Sequence, residues 1–409
     1  MKLNPIINSL LENDLYKISM TQCIYHQFSG YKTTWAFKCR NKDVVFTPEM
    51  VQEIKDQIQH YCGLQFTEDE LTYLDSIPWI KGSYVDFLRL WKPRYADFEI
   101  TTDDPSGLTI ETRGSWLNTS FYEVPVLAIV NEVYFRMNYN YDELIKSFEE
   151  NLDAKIQKLI DGTYHIGNFS EFGLRRRLSA EAQDMAVRKL MENNGKFHKT
   201  DKLYSNLVGT SNIYLAKKYN IKPMGTMAHE LIMGIGQGNP KHNAAYSNYF
   251  TMEAWVKEYG ILNGIMLTDT ITTDCFLRDF DLTFATLFSG VRHDSGDPYE
   301  WADKMIAHYQ KLGINPKTKT LLFSDSLNFE KADKLFNTYV DKTNVAFGIG
   351  THISNHTNVP ALNIVMKPIM ANGGPVAKLS DNPSKGMCRD QAYIDYLRRC
   401  IAWRMEHEK

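Results

Sequence analysis

The chain has 409 residues, with 46 Lys and Arg against 49 Asp and Glu and a net charge of −3. That length predicts two domains or a large α/β barrel with an accessory part, and the near-neutral balance without a long basic tract excludes nucleic acid as the main partner. Six cysteines with no C-x-x-C pair read as reduced thiols of a cytosolic protein, and no stretch reads as a signal peptide or a membrane span.

The first predicted element is a helix opening at Asn13 or Asp14 and running through DLYKISMTQCIYHQF. A strand at 33–40 follows, then a helix started by Pro48. Two short strands, 97–102 and 107–114, flank the turn sequence Asp103-Asp104-Pro105-Ser106-Gly107. These elements predict a strand-rich α+β domain over residues 1–125. The most apolar run, 121–135, is interrupted by Glu123, Asn131 and Glu132. Residues 141–160 carry apolar side chains at helical spacing. Ser179 is placed to cap one later helix, and Ser211 or Asn212 another. Four runs then share one format, an apolar strand ending abruptly in polar residues: 264–270, 289–297, 320–328 and 345–354, with helical stretches at 299–313 and 328–340 between them. This alternation predicts a parallel α/β barrel over 126–369, whose functional groups gather at the C-terminal strand ends.

The polar tips carry the candidate chemistry. RHDSGDP (292–298) supplies an arginine fork, two carboxylates and a glycine, a set suited to an anionic or polyhydroxyl ligand directly or through Mg²⁺, or equally to a helix-capping turn. FSDSLN offers Asp325, and FGIGTHIS offers Gly348, Gly350 and Thr351, whose amides and hydroxyl suit a phosphate. EFGLRRR places arginines directly after Phe172, where aromatic stacking and charge together suit a planar anion, although arginine runs are commonly solvated. GTMAHE puts His229 at the start of a helix with Glu230 beside it and no second metal-spaced histidine. A structural histidine and a nucleophile or general base are both open there.

Taken in order, NDLYK (13–17), EFGLRRR (171–177), GTSN (209–212), GTMAHE (225–230), LTDT (267–270), RHDSGDP (292–298), FSDSLN (323–328) and GIGTHISN (348–355) resemble the nicotinate phosphoribosyltransferase family over most of the chain. Leu174 stands where many bacterial members have threonine. The resemblance implies an irregular (β/α) barrel of the type II phosphoribosyltransferase kind, with an N-terminal α+β domain to which residues 370–409 return. It implies transfer of 5-phosphoribosyl from 5-phosphoribosyl 1-diphosphate to nicotinate, giving nicotinate mononucleotide and diphosphate in NAD salvage, coupled to ATP with Mg²⁺. By the same resemblance His229 is the phosphorylated residue, with Glu230 and Asp294 as catalytic partners. Tyr16, from a neighbouring subunit, and Phe172 sandwich the pyridine ring, and a cytoplasmic homodimer with shared sites follows. Arg292, Thr226 and Ser211 face the nicotinate carboxylate; nicotinamide-using relatives carry aspartate at the Ser211 position, so serine favours the acid. Arg175, Asp294 and Arg40 are implied at the sugar and diphosphate oxygens, and Asp325, Gly348, Gly350 and Thr351 at the 5-phosphate or ribose end.

Two other classes compete. A sugar-phosphate lyase or isomerase on an ordinary barrel needs a Schiff-base lysine on a strand, for which Lys367 is the candidate. A nucleotide-binding protein without catalysis uses the same tips only to hold a ligand.

Overall fold

The computed structural model describes residues 3–382, 386 and 388–408. Two sheets divide the strands. The first is antiparallel, in the order β12-β11-β1-β3-β2, with β1 Lys32–Cys39, β2 Phe98–Thr101, β3 Thr109–Ser115, β11 Ile364–Ala371 and β12 Gly374–Pro375. The second is wholly parallel, in the order β6-β5-β4-β10-β9-β8-β7, with β4 Gly167–Glu171, β5 Ser205–Thr210, β6 Lys222–Pro223, β7 Ile265–Leu267, β8 Gly290–His293, β9 Thr320–Phe323 and β10 Asn344–Ile349. It curls into half a barrel. Its first strand, β4, pairs with its last, β10, and the curl stays open between β6 and β7. Thr226, just after β6, ties that seam by donating through Oγ1 to the Ile265 carbonyl of β7 at 2.8 Å.

The predicted helices at 141–160, 299–313 and 328–340 form as Tyr141–Ile160, Pro298–Lys311 and Phe329–Tyr339. Pro48 opens the helix Pro48–Cys62, whose cap is Thr47. Ser179 caps Ala180–Asn193 through the Ala182 amide at 3.0 Å, and Asn212, rather than Ser211, caps Ile213–Tyr219. The apolar run at 121–135 belongs to a 23-residue helix, Trp116–Asn138, buried nearly all round. Its polar residues are each engaged. Glu123 pairs with Lys17 at 2.7 Å, Asn131 donates to the Arg177 carbonyl at 2.6 Å, and Glu132 pairs with Arg136 and accepts from the Ala180 amide. The sequence reading also passed over the closing helix, Gln391–His407.

The first helix, Leu15–Gln27, is buried from Leu15 to Ile24 and joins the two sheets. The Leu15 amide donates to the Ser211 carbonyl, Asp14 bridges to Asn212, and Lys17 inserts between Glu123 and Glu230 with its ammonium 4.6 Å from the Trp35 ring. A buried cation with two carboxylates and an aromatic face is a costly element to assemble and a costly one to break. The C-terminal part re-enters the antiparallel sheet at Ile364, where β11 pairs with β1 from Cys39↔Ile364 to Thr33↔Ala371. Among the described residues no helix is long and apolar enough to cross a membrane.

Candidate active site

His229 opens the short helix His229–Ile232 in the seam of the half-barrel, and its side chain is buried. Its Nε2 lies 2.9 Å from Asp269 Oδ1, at the tip of β7, and 3.5 Å from Asp294 Oδ2, at the tip of β8. Asp269 also accepts from Ser295 Oγ at 2.5 Å and from Lys378 Nζ at 3.2 Å, and Lys378 reaches Asp294 at 3.7 Å. Burial, reinforced by Lys378, pushes the imidazole down to about 4, so it is neutral near pH 7. Burial works against ionisation of the two carboxylates, but Lys378 beside both, with His229 N–H and Ser295 Oγ donating to Asp269 and Arg292 near Asp294, outweighs it, and both stay below the usual carboxylate range. A carboxylate only accepts, so Asp269 fixes the ring proton on Nε2. Nδ1, with no hydrogen-bond partner among the described residues, keeps its lone pair.

A second group surrounds the tips of β4 and β5. The ring of Phe172 lies on the Cα of Gly348, where a Cβ would come within 2.4 Å of Phe172 Cδ2; Gly350 approaches the Phe172 carbonyl. Arg175 lies 5.8 Å from the Tyr16 ring, 3.4 Å from Glu123 Oε1 and 3.7 Å from Asp14 Oδ2. Ser211 Oγ donates to Asp14 Oδ1 at 2.6 Å. Within the chain, the first helix is seated on the β5 tip by the Leu15 amide to the Ser211 carbonyl and by the Asp14–Asn212 bridge, which sets the Tyr16 ring beside Arg175. The Tyr16 hydroxyl and Arg292 Nε are both buried and unpartnered, which leaves two orphan donors at this end of the sheet.

Cations complete the rim. Arg40 follows β1 and lies near Arg176, which burial lowers to about 10; Asp294 and Asp325 offset that shift. The arginine run therefore divides. Arg175 and Arg176 face the tips, whereas Arg177 is buried and pairs with Glu12 at 2.8 Å. Lys367 is carried by β11 of the antiparallel sheet, and burial, with Lys378 adding to it, lowers its amine to about 7. Thr351 opens the short helix Thr351–Ser354 after β10. Thr226, Ser211 and Glu230, all expected at the site, have their polar groups engaged within the chain: the Thr226 hydroxyl with Ile265, the Ser211 hydroxyl with Asp14, and the Glu230 carboxylate with Lys17, Trp116 Nε1 and Ser120 Oγ. Asp269, Lys378, Asp14 and Arg176 were not singled out from the sequence. Asp269 had a signal in LTDT, a polar strand tip, but Lys378 lies in an irregular segment that no pattern marks.

A half-barrel whose strand tips gather a neutral histidine, two ionised carboxylates and a rim of arginines and lysines is a phosphate-handling α/β enzyme. Comparison with known proteins narrows the class. A model of the nicotinate phosphoribosyltransferase (NAPRTase) family matches residues 168–402, and a model of the NAPRTase N-terminal domain matches residues 11–131. A nicotinate phosphoribosyltransferase of Ralstonia nicotianae is 41% identical over 96% of this chain and 98% of its own, and one of Ectopseudomonas mendocina is 42% identical over 96% of each. Among solved structures, nicotinate phosphoribosyltransferase from Vibrio cholerae superposes with a TM-score of 0.87 at 34% identity, covering 97% of this chain and 94% of that one. The enzyme from Porphyromonas gingivalis superposes with 0.88 at 31%, covering 97% and 100%. The chain belongs to the nicotinate phosphoribosyltransferase family.

Proposed function

We propose that this chain transfers 5-phosphoribosyl from 5-phosphoribosyl 1-diphosphate to the ring nitrogen of nicotinate, releasing diphosphate, and that ATP drives the transfer through a phosphohistidine at His229. The observation that carries the ATP coupling is the neutral imidazole held by Asp269 with Nδ1 unencumbered. Nδ1 attacks the γ-phosphorus of ATP, the bond to the β-γ bridging oxygen breaks, and ADP leaves. The positive charge left on the ring is balanced by Asp269 through Nε2–H. The new phosphoryl group then lies among Lys378, Lys367 and Asp294 and changes how that end grips the sugar diphosphate.

Nicotinate is read into the space between Tyr16 and Phe172, with its carboxylate toward Arg292, Ser211 and Arg175; the unpartnered Arg292 Nε supports this. Thr226 enters as a tie across the seam, and Glu230 as a positioning group that fixes Lys17 and the helix bearing His229. Arg40 and Arg176 face the diphosphate and sugar oxygens, with Asp325, Gly348, Gly350 and Thr351 at the 5-phosphate end. Mg²⁺ fits this donor set. His229, Asp269 and Asp294 present atoms within 4.8 Å of one another, and a hard cation prefers carboxylate and phosphate oxygens. Asp269 is already satisfied by four donors, so Asp294 with the substrates' phosphates would hold the ion, which would supply charge neutralisation. A homodimer with shared sites, in which Tyr16 reaches the pyridine ring from the neighbouring subunit as the resemblance implies, is part of this reading. A cytoplasmic location accords with the substrates and the free cysteines.

The test is His229→Asn, assayed with nicotinate, the sugar diphosphate and Mg²⁺ with and without ATP. The variant is expected to form no acid-labile phosphoprotein and to make mononucleotide slowly and independently of ATP. ATP stimulation equal to that of the parent enzyme would sink the assignment.

A further inference from the structure

Glu171, the last residue of β4, is fully buried, and its carboxylate meets three donors from three segments. It accepts from the Gly173 amide at 2.6 Å, from Thr210 Oγ1 at 2.6 Å and from Gln183 Nε2 at 3.0 Å, while its own carbonyl accepts from the Ser211 amide at 2.9 Å. Gln183 passes the link on: its Oε1 accepts from Asn212 Nδ2 at 3.0 Å, and Asn212 forms the bridge to Asp14 that seats the first helix. One side chain thus joins the segment bearing Phe172 and Arg175, the segment bearing Ser211, and, through Gln183 and Asn212, the segment bearing Tyr16. The fit leaves no slack at Gly173, where a Cβ would sit 1.8 Å from Ser354 Oγ and 2.7 Å from Glu171 Oε1.

We infer that Glu171 is a positioning residue for nicotinate: its carboxylate holds Phe172 and Arg175 in register with Ser211, so that ring stacking and carboxylate recognition occur in one pose. This role rests on the nicotinate placement given above. The ionised form alone accepts from all three donors, whereas a protonated one must turn an O–H toward groups that already donate. Burial, with Asp14 adding to it, raises Glu171 to about 7 against the opposing hydrogen bonds. The charged groups that face it are Asp14, ahead of the first helix, and Arg177, which reaches Gln183 at 3.4 Å; the helix Thr351–Ser354 contributes only the neutral Ser354. A carboxyl raised in this way is ionised above its folded pKa. The three-donor arrangement is therefore complete above about 7 and is lost as pH falls through it.

Steady-state kinetics of the full chain test this with Glu171→Gln and Glu171→Asp between about pH 6 and about pH 9. In Glu171→Gln the KM for nicotinate is expected to rise by about tenfold or more, with kcat and the KM for the sugar diphosphate within about threefold of the parent. The parent's nicotinate KM should climb on acidification through about 7, and that limb should vanish in Glu171→Gln. Glu171→Asp, which keeps the charge, should keep the limb at a raised KM, and it carries the test alone if Glu171→Gln does not fold. An unchanged nicotinate KM, or equal losses in every kinetic parameter with the acid limb intact, overturns the inference. Phe172→Ala, run in parallel, separates the two claims: if it leaves the nicotinate KM unmoved, the nicotinate placement itself fails and this role fails with it.

Discussion

The Asp269 carboxylate touches His229 Nε2 at 2.9 Å and is itself held by Ser295 and Lys378, so the tautomer of the imidazole is set on the side of the ring away from the attacking Nδ1. Asp269→Asn tests this. The amide turned toward Nε2 donates rather than accepts, which drives the ring proton to Nδ1 and occupies the lone pair the reaction uses. Labelled phosphoprotein formation from γ-labelled ATP is expected to slow by roughly ten-thousandfold, by analogy with tautomer-fixing aspartates in other enzymes. A variant that phosphorylates at the parent rate would remove Asp269 from this role. The sequence displayed the two ends of this relationship, HE at 229 and LTDT at 267, without displaying the contact. Which of several polar tip residues turns inward depends on the curl of the sheet, and a single strand's pattern does not hold that information.

The elements were legible to the extent that one boundary signal governed them. Pro48, Ser179 and Asn212 marked helix starts that the structure keeps, and each polar tip after an apolar run does end a parallel strand. Trp116–Asn138 escaped because its glutamates, its asparagine and the internal Pro125 break the apolar continuity. Each of those polar groups answers a partner far away in sequence, which no local window contains. A second unread element is the π-helical stretch Met233–Gln237, directly after the helix of His229. A Cβ on Gly234 would come within 2.2 Å of Trp116 Cη2, and one on Gly236 within 2.3 Å of Ser247, so this turn is clamped between the long helix and the helix Ser247–Tyr259. Gly234→Ala is expected to cost about 1–3 kcal/mol by overpacking, lowering Tm. Because Trp116 also donates to Glu230, it should slow His229 phosphorylation as well. A melting curve and a labelling rate both equal to the parent's would show that the clamp is slack.

At the scale of the whole molecule, the proposed homodimer with Tyr16 supplied across subunits predicts complementation. Tyr16→Ala and His229→Asn, each impaired alone, should recover up to about a quarter of parent activity when co-folded, since one site of each mixed dimer then carries neither lesion. An absence of recovery would put both residues of a site in one chain. Composition and pattern spoke for a second, strand-rich layer, and the return of the C-terminal part to it came only with the family resemblance.

That journey has a consequence for biosynthesis. Ala36 finds its partner Lys367 only after roughly 330 further residues have been made, and closing so long a loop is a late step in folding. Until the segment from Ile364 through Lys378 leaves the ribosome, the nascent enzyme has neither a completed first sheet nor the lysine that neutralises the two aspartates beside the imidazole. Premature stops and nicked C-termini should therefore yield silent proteins, so the cell's supply of this activity is gated by full-length synthesis.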